Sequence, residues 1–385
     1  MECNTTGFVV DAGSLYHHFQ EIEDVRKKRG IRYSLPIIML LVVLAKLCGQ
    51  DTPYGIADWV NHRGEWLREA LCLGYSRMPH HSTYRRILAT YESELGRVIE
   101  LFLIQLAGKK TYQLITLDGK TSRGTITSDD PFGLHLLTAY APEAGIALKH
   151  LPVEKEKENE IVVAPKLLAS LNLENKVVLG DAMQTQRALS SQIVDNDGDF
   201  VWIVKDNQRQ VRQAIEFLFA PETAKPGQGC PPMDFQTAKT VDKGHGRLEE
   251  RTLTVSSMLN DYLDWPLVQQ VFKIERHVTY SSTGKVHQET QYGLTSLAAN
   301  EADPEKMLEL VRSEWSIENG LHYRRDVTFH EDKTRMTFKT IARAMACINN
   351  LVIALLHYQG FFNHAQARRL FDAKPADALT LILRL

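Results

Sequence analysis

The sequence predicts an α/β protein in which a mixed sheet is flanked by helices, with a helical amino-terminal region and a β-rich insertion. Three observations lead to this prediction. Residues 113–208 alternate between short strand-like runs and segments whose apolar residues recur at helical spacing. Residues 209–300 are interrupted by proline and glycine and contain further strand-like runs. Residues 1–112 and 301–385 have helical patterns, so we expect four parts with these boundaries.

The composition is that of an ordinary globular protein. The chain has 385 residues, 44% of them hydrophobic, which is enough for roughly two or three domains with filled cores. A net charge of −2 argues against a protein that coats nucleic acid without specificity, because such binding needs an excess of Lys and Arg. The five cysteines form no C-x-x-C pair, which disfavours a zinc ribbon and a disulfide framework.

No membrane segment is expected. The most apolar run, residues 35–45, is far shorter than the roughly 20 residues that span a bilayer. It predicts a buried helix instead. The amino terminus lacks the basic and apolar regions of a signal peptide. We therefore expect a cytoplasmic protein.

A second helix in the amino-terminal region is predicted after Pro79. Ser82 or Thr83 is the expected cap, which would place Arg85 and Arg86 in the first turn. Arginines in a first turn oppose the helix dipole, and this favours a phosphate partner. The alternative is a surface helix with solvated arginines, because runs of charged residues usually face water.

Asp118 and Asp181 each follow a strand-like run and are expected to be neighbours. A turn at residues 142–145 separates the second run from the third, and the first three runs predict an antiparallel meander, whereas helices connect the later strands. Strands joined by crossover helices lie parallel, with their carboxyl ends at one edge of the sheet, where ligands bind. The predicted strands are 114–118, 135–140, 146–153, 176–180 and 200–205, and a helix is predicted over 161–171.

A third acid is expected from the helical segment 305–325. Glu314, Glu318, His322 and Arg325 share one face of this segment at α-helical spacing. Three carboxylates, together with water and a substrate phosphate, give the oxygen coordination that Mg²⁺ or Mn²⁺ prefers. Two such ions can activate a hydroxyl and stabilise the leaving oxygen in phosphoryl transfer. A metal site for this chemistry is therefore one hypothesis; the alternative is that the acids are solvated, since many α/β proteins end strands with Asp and most helix glutamates lie on the surface.

Six ordered motifs resemble those of the H-repeat-associated family of bacterial insertion-sequence transposases. They include Asp118-Gly-Lys-Thr-Ser-Arg-Gly and Trp315-Ser-Ile-Glu-Asn. Residues 56–87 also resemble the associated amino-terminal domain of that family. Motifs in one order across most of the chain make the resemblance specific. They cover residues 118–124, 157–161, 180–186, 204–208, 244–251 and 315–332.

The resemblance implies an RNase H-like catalytic core interrupted by the β-rich insertion. It implies that Asp118, Asp181 and Glu318 are the catalytic and metal-binding residues of a DDE transposase, with two Mg²⁺ or Mn²⁺ ions as cofactors. The implied activity is DNA strand cleavage and strand transfer at insertion-sequence ends. The implied partners are double-stranded DNA, as element ends and as target, and a second copy of the chain, because two ends must be paired. The implied location is the bacterial cytoplasm, in association with the nucleoid.

Basic residues near the acids and in the flanking regions are the expected DNA contacts. They would neutralise phosphates and position the duplex, and the alternative for each is a solvated charge. The signature of related transposases has an arginine four residues before the glutamate and a lysine seven after it, where this chain has Glu314 and Arg325. Arginine can replace lysine at a phosphate, whereas Arg312 or Arg324 would have to replace the missing arginine. The expected contacts are Lys120, Arg123, Lys205, His245, Arg247, Arg325, Arg85 and Arg86.

Several alternatives stay open from the sequence. Asp326, Glu331 and Asp332 are rival third acids, and His322 could act as a general base. The chain could also be a DNA-binding relic that no longer transposes, which the near-neutral charge and Glu314 would fit. A third reading is an RNase H-like metal nuclease of repair or defence. The presence of all three acids disfavours the relic.

Overall fold

A computed structural model describes the chain at residues 2–3, 9–11, 13–29, 31–154, 159–220, 234–244 and 246–385. Within these ranges a small antiparallel pair of strands lies near the amino terminus, and nine further strands form one sheet. The strands are β1 Glu2–Cys3, β2 Val9–Val10, β3 Leu114–Ser122, β4 Leu134–Ala141, β5 Ile146–Pro152, β6 Val177–Gly180, β7 Asp199–Val204, β8 Gln236–Gly244, β9 Arg247–Ser256, β10 Gln270–Tyr280 and β11 Val286–Thr295.

The nine-stranded sheet is mixed, and its spatial order is β5-β4-β3-β6-β7-β11-β10-β9-β8. Strands β3, β4 and β5 are antiparallel neighbours, whereas β6 is parallel to both β3 and β7. The predicted meander followed by parallel strands is therefore confirmed. The largest difference in a strand boundary is in β3, which does not end at Asp118 but continues to Ser122, because β4 pairs with it from Thr116 to Ser122. The helix predicted over 161–171 ends earlier, at Leu168.

The four strands of the β-rich region extend the same sheet. The last residues of β11 pair antiparallel with β7, and β10, β9 and β8 follow outward. Gly293 lies at this seam, where an added Cβ would overlap the carbonyl oxygen of Trp202 and the ring of Phe272. A residue without a side chain is needed because backbone and ring approach so closely.

Helices cover both faces of the sheet. Alternate residues of β7 show the division: Phe200 and Trp202 face the larger core with α8 and α9, whereas Val201 and Ile203 face the smaller core with α10. The helices are α1 Leu15–Gln20, α2 Leu35–Leu47, α3 Pro53–His62, α4 Gly64–Ala70, α5 His81–Thr90, α6 Glu92–Gly108, α7 Glu160–Leu168, α8 Arg187–Val194, α9 Arg209–Leu218, α10 Pro304–Ser313, α11 Lys339–Tyr358, α12 His364–Ala373 and α13 Pro375–Arg384.

Helix α11 is the central helix of the larger core. It is long and apolar enough to cross a membrane by length and composition, with a mean hydropathy of 1.4. However, 83% of it is buried by the surrounding protein. Its apolar surface is accounted for by packing on α6, α5, α2 and β5, so its hydrophobicity is that of a core helix.

Helix α5 begins two residues earlier than the sequence predicts. The cap is His80, whose side chain accepts a hydrogen bond from the backbone N–H of Ser82. Arg85 and Arg86 therefore lie in the second turn, and both are exposed. The prediction that these arginines oppose the helix dipole in a first turn is wrong, since the dipole effect is confined to the terminal turn.

The continuous α-helix predicted over 305–325 is also wrong beyond α10. The chain turns at Glu314 and Trp315 and then winds as a π-helix over Glu318–His322 and again over Arg324–Thr328. Hydrogen bonds in such segments run from residue i to i+5, so each turn is wider than in an α-helix. Residues seven positions apart therefore do not return to the same face, which separates Glu318 from Arg325.

Gly293→Ala should destabilise the fold by about 1–3 kcal/mol, because the new methyl group overpacks the seam between β7 and β11. The measurement is urea unfolding followed by circular dichroism. Gly244→Ala is the matched control in the same region, since a Cβ there meets nothing within 4 Å; it should change stability by less than about 0.5 kcal/mol. Equal stability of the two variants would contradict the close approach at Gly293.

Candidate active site

The candidate site lies in a notch at one edge of the sheet. Strands β6 and β7 stop at Gly180 and Val204, whereas β3 on one side and β11 on the other extend beyond them. Asp181 and Lys205 follow the two short strands directly. The pairing of Leu117 with Gly180 puts Asp118 and Asp181 at the same level on adjacent strands. This register makes Asp118 and Asp181 neighbours, as the sequence predicts.

Asp118 is the partly exposed acid on the β3 side of the notch. Its Oδ1 accepts a hydrogen bond of 2.8 Å from the backbone N–H of Gly119. Its Oδ2 lies 3.2 Å from Nε2 of His322, which is on the first π-helical turn. One carboxylate oxygen is therefore held by the strand, and the other faces residues 314–338 between α10 and α11, which we call the returning segment.

Glu318 and His322 meet Asp118 across the notch. Ligand atoms of Asp118, Glu318 and His322 all lie within 4.8 Å of one another, and no other such group of acids, histidines or cysteines occurs in the described part of the chain. Glu318 is exposed, whereas His322 is buried. Two carboxylates and one imidazole at this separation fit a divalent cation.

Asp181 lies beside this group but its carboxylate caps the short 3₁₀ turn Ala182–Gln184. It accepts backbone hydrogen bonds from Met183 at 2.9 Å and Gln184 at 3.4 Å. Loss of solvent around the carboxyl group raises its pKa, and the nearby charges of Glu160 and Asp118 add to that rise. A cation placed beside Asp181 would favour its charged form.

Glu160 is a site residue that the sequence analysis missed. Its Oε1 lies 2.8 Å from Nε2 of His135, and its Oε2 accepts a 3.0 Å hydrogen bond from the side chain of Gln184. It packs so closely on β3 that a Cβ at Gly119 would overlap its carboxylate. Glu160 thus ties the strand of Asp118 to the turn of Asp181. It belongs to the motif at residues 157–161 that resembles the H-repeat-associated family, and this motif is the one feature of the sequence that pointed to it.

Glu314 is a second acid near the site. In the sequence it was notable because it stands where the signature of related transposases has an arginine. Burial raises its pKa to about 7, and the charges of Asp181 and Asp118 add to the rise while Lys205 opposes it. The side chain therefore lies within electrostatic reach of both aspartates. Its neighbour Lys205 is exposed at the end of β7, where the sequence predicted a DNA contact.

The predicted DNA contacts occupy several different environments. Arg123 is exposed and lines a cleft of about 370 Å³ with Glu318 and His322. Lys120 lines the same cleft but is only 9% exposed, and its ammonium lies 2.5 Å from Asp326. A phosphate could reach Lys120 only by replacing this carboxylate.

The remaining predicted contacts lie away from the acids. Arg85 and Arg86 are on the surface of α5, and the guanidinium of Arg85 lies 5.7 Å from the ring centroid of Phe338. Arg247 starts β9 and lies 3.6 Å from the buried carboxylate of Glu249. His245 lies outside the described residues. Arg312, a candidate for the missing arginine, pairs with Asp242 at 3.0 Å.

The prediction that Arg325 contacts DNA is contradicted by its burial. The side chain is 0% exposed, and its guanidinium donates two hydrogen bonds of 2.7 Å to Glu331. Glu331 also accepts hydrogen bonds from Ser122 and Asn349. The π-helical winding turns Arg325 into the core, where it has a structural role.

The rival third acids have other partners. Glu331 is buried in this pair with Arg325, and Asp326 is bound to Lys120. Asp332 accepts a 2.8 Å hydrogen bond from the backbone N–H of Arg123. Glu318 is therefore the acid of this segment that faces Asp118 without a competing cation partner among the described residues.

Comparison with known proteins agrees with this geometry. The sequence model described as "Transposase DDE domain" matches residues 109–355, and the model described as "DDE_Tnp_1-associated" matches residues 16–96. The chain belongs to the transposase DDE domain family. This family is RNase H-like, which agrees with the mixed sheet flanked by helices, and membership implies a DNA substrate.

Relatives with transposase names span nearly the whole chain. "Putative transposase YncI" of Escherichia coli O157:H7 is 27% identical over 348 residues, covering 89% of this chain and 87% of the relative. "H repeat-associated putative transposase YhhI" of Escherichia coli strain K12 is 23% identical over 370 residues, covering 93% and 94%. The predicted resemblance to H-repeat-associated transposases is confirmed.

Arg325→Met should destabilise the protein by about 3–5 kcal/mol, because it leaves the buried carboxylate of Glu331 without its charged partner. Chemical denaturation measures the loss. The control is Arg123→Met, which removes an exposed guanidinium and should cost less than about 0.5 kcal/mol. Unchanged stability of Arg325→Met combined with weakened DNA binding would restore Arg325 as a DNA contact.

Glu314→Gln should remove a pH-dependent loss of stability in protein treated with a chelator. The unfolded chain releases the proton near the ordinary pKa of 4.5, whereas the folded protein keeps it to about 7. Stability therefore falls as pH rises through this interval. Thermal and urea unfolding at pH 8 should find the variant more stable by about 1–3 kcal/mol, with little difference near pH 4.5.

The control for this pH series is Glu174→Gln, which removes an exposed carboxylate from the loop that precedes β6, at the end of that strand opposite Asp181. It should shift stability by a similar small amount at every pH. A Glu314→Gln variant whose unfolding curves parallel those of the wild type from pH 4.5 to 8 would show that folding does not raise the pKa of Glu314.

Proposed function

We propose that the chain is an active DDE transposase that cleaves DNA and transfers strands at the ends of an insertion sequence, using two Mg²⁺ or Mn²⁺ ions. The observation that carries this proposal is the convergence of Asp118, Glu318 and His322 to within 4.8 Å beside Asp181. Membership of the transposase family supports the choice of DNA as substrate.

The proposed metal-binding and catalytic residues are Asp118, Asp181 and Glu318. Bound divalent ions would supply a Lewis acid that activates the attacking water in cleavage or the 3′-hydroxyl in strand transfer and stabilises the leaving oxygen. Asp118 stands on strand β3, whereas Glu318 stands on the π-helical segment that follows α10, so the two acids would reach the reacting phosphate from different elements. Asp181 approaches from the end of the adjacent strand.

The exposed cations at the rim would hold the DNA backbone. Arg123 and Lys205 flank the acids on the β3 and β7 sides, where they could neutralise phosphates on either side of the scissile bond. Lys120 would join them if a phosphate displaced Asp326. Arg85, Arg86 and Arg247 are proposed as more distant contacts, together with His245 from the sequence alone.

The proposed division of labour follows the four parts of the chain. Residues 1–112 form an associated DNA-binding region, and 113–208 and 301–385 form the catalytic core, with 209–300 as its insertion. The separate family matches at 16–96 and 109–355 support the first boundary. A homodimer on DNA and association with the nucleoid are further proposals, because both ends of an element must be cut and joined together.

The test uses labelled duplex carrying the terminal repeats that flank the gene, with a plasmid as target. We expect cleaved ends and strand-transfer products with Mg²⁺ or Mn²⁺, and none with Ca²⁺ or a chelator. Asp118→Asn, Asp181→Asn and Glu318→Gln should each reduce both products by about a hundredfold or more, since metal ions supply several kcal/mol of transition-state stabilisation.

The control variant Glu305→Gln removes an exposed glutamate from α10 and should retain both products. Cleavage without any strand transfer would identify a nuclease. Specific DNA binding without cleavage in either metal would identify a binding protein. Wild-type rates in Asp118→Asn would overturn the proposed site.

A further inference from the structure

His322 is a buried side chain without the partners that a buried imidazole normally has. It is 3% exposed, and neither ring nitrogen makes a hydrogen bond within the described residues. Buried polar atoms are nearly always hydrogen-bonded, and leaving one unsatisfied costs about 1–3 kcal/mol. An unpartnered imidazole at the wall of a candidate site therefore needs an explanation.

The contact with Asp118 does not supply that explanation by itself. Nε2 lies 3.2 Å from Oδ2 of Asp118, yet the atoms lack the alignment of a hydrogen bond. A nitrogen and a carboxylate oxygen that approach without aiming at each other can both be directed at a third atom. The ligand atom of Glu318, also within 4.8 Å, faces the same space.

The backbone holds His322 and Glu318 in this arrangement. The backbone N–H of Tyr323 donates to the carbonyl oxygen of Glu318, which closes the wide turn between them. Gly320, in the middle of this turn, packs so closely on Tyr140 of β4 that a Cβ would overlap its hydroxyl group. The turn is therefore seated directly on the sheet, which fixes the depth of both side chains relative to Asp118.

We propose that His322 is a nitrogen ligand of the metal ion held by Asp118 and Glu318, in addition to the three acids. This inference rests on the proposed use of divalent ions at this site. A set of two carboxylates and one imidazole suits Mn²⁺ better than Mg²⁺, because Mg²⁺ strongly prefers oxygen and keeps its water, whereas transition-metal ions accept imidazole. The site should therefore select Mn²⁺ over Mg²⁺.

The direct test is pulsed electron paramagnetic resonance of Mn²⁺ bound to tag-free, full-length protein. Coordination by Nε2 should produce ¹⁴N modulation of the electron spin echo, and ¹⁵N-labelled histidine should replace it with the ¹⁵N pattern. His322→Gln should abolish the modulation. It should also weaken Mn²⁺ binding, measured by calorimetry, by about tenfold or more, the effect that loss of even a ligand's hydrogen-bond partner can have.

Two further variants keep the test decisive. His287→Gln removes an exposed histidine from β11 and should retain both the modulation and the affinity. His322→Glu replaces nitrogen by oxygen, so it should bind an ion without ¹⁴N modulation and with a smaller preference for Mn²⁺ over Mg²⁺. This variant also shows that the loss in His322→Gln is not caused by unfolding, provided that its circular dichroism matches the wild type.

The outcomes separate this inference from the proposed function. Mn²⁺ bound by the wild type without nitrogen modulation would overturn the role of His322 and leave the three acids in place. Failure of the wild type to bind either ion, alone and with terminus DNA, would overturn the metal site and both proposals. Retained modulation in His322→Gln would assign the nitrogen to another residue and overturn the inference.

Discussion

The position of Glu318, the proposed third acid, depends on one buried carboxylate, that of Glu331. Burial alone would raise the pKa of Glu331, but the charge and hydrogen bonds of Arg325, with hydrogen bonds from Ser122 and Asn349, outweigh it and lower the pKa to about 2. These partners come from three elements: the returning segment, the end of β3 and helix α11. The site can therefore form only when strand, core helix and returning segment are assembled together, since removing one partner of a buried pair is costly.

A second buried network attaches the same segment to the amino-terminal region. Arg368 of α12 donates to the carbonyl oxygen of Thr328, at the end of the second π-helical turn, and to Asp51, which also pairs with Lys46. The Arg368 guanidinium lies 4.4 Å from the ring centroid of Phe329. Residues 1–112 thus share a core with the carboxyl-terminal helices and contact the segment that carries Glu318, although the sequence suggested only a helical module placed before the catalytic core.

The sequence predicted what depends on local pattern and on chain topology. Asp118 and Asp181 could be paired because parallel strands joined by crossover helices align their carboxyl ends, and the family motifs pointed to Glu318, which the structure places near Asp118. The burial of Arg325 could not be predicted, because it depends on π-helical winding and on its ion pair with Glu331. Glu331 lies six residues away and meets its other partners, Ser122 and Asn349, only in the folded protein. Glu160 was missed for the same reason: its partners His135 and Gln184 come from two other elements, and no spacing rule relates them.

The crowding of acids explains why such a site needs so much support. Asp118, Asp181, Glu160, Glu314 and Glu318 surround one notch. Burial is the main cause of the raised pKa values of Asp181 and Glu314, and the charges of the neighbouring acids add to both. Burial and the repulsion between these charges lower the stability of the metal-free protein at neutral pH, but they also favour a divalent cation, which the acids would then share. The buried ion pairs of Glu331 with Arg325 and of Asp51 with Lys46 and Arg368 hold the surrounding elements in place against this repulsion. Acids that support the site from the core are therefore paired with cations, whereas acids that face the notch repel one another until a cation binds. Glu331 is an example of the first kind and Glu318 of the second, although both lie in the returning segment.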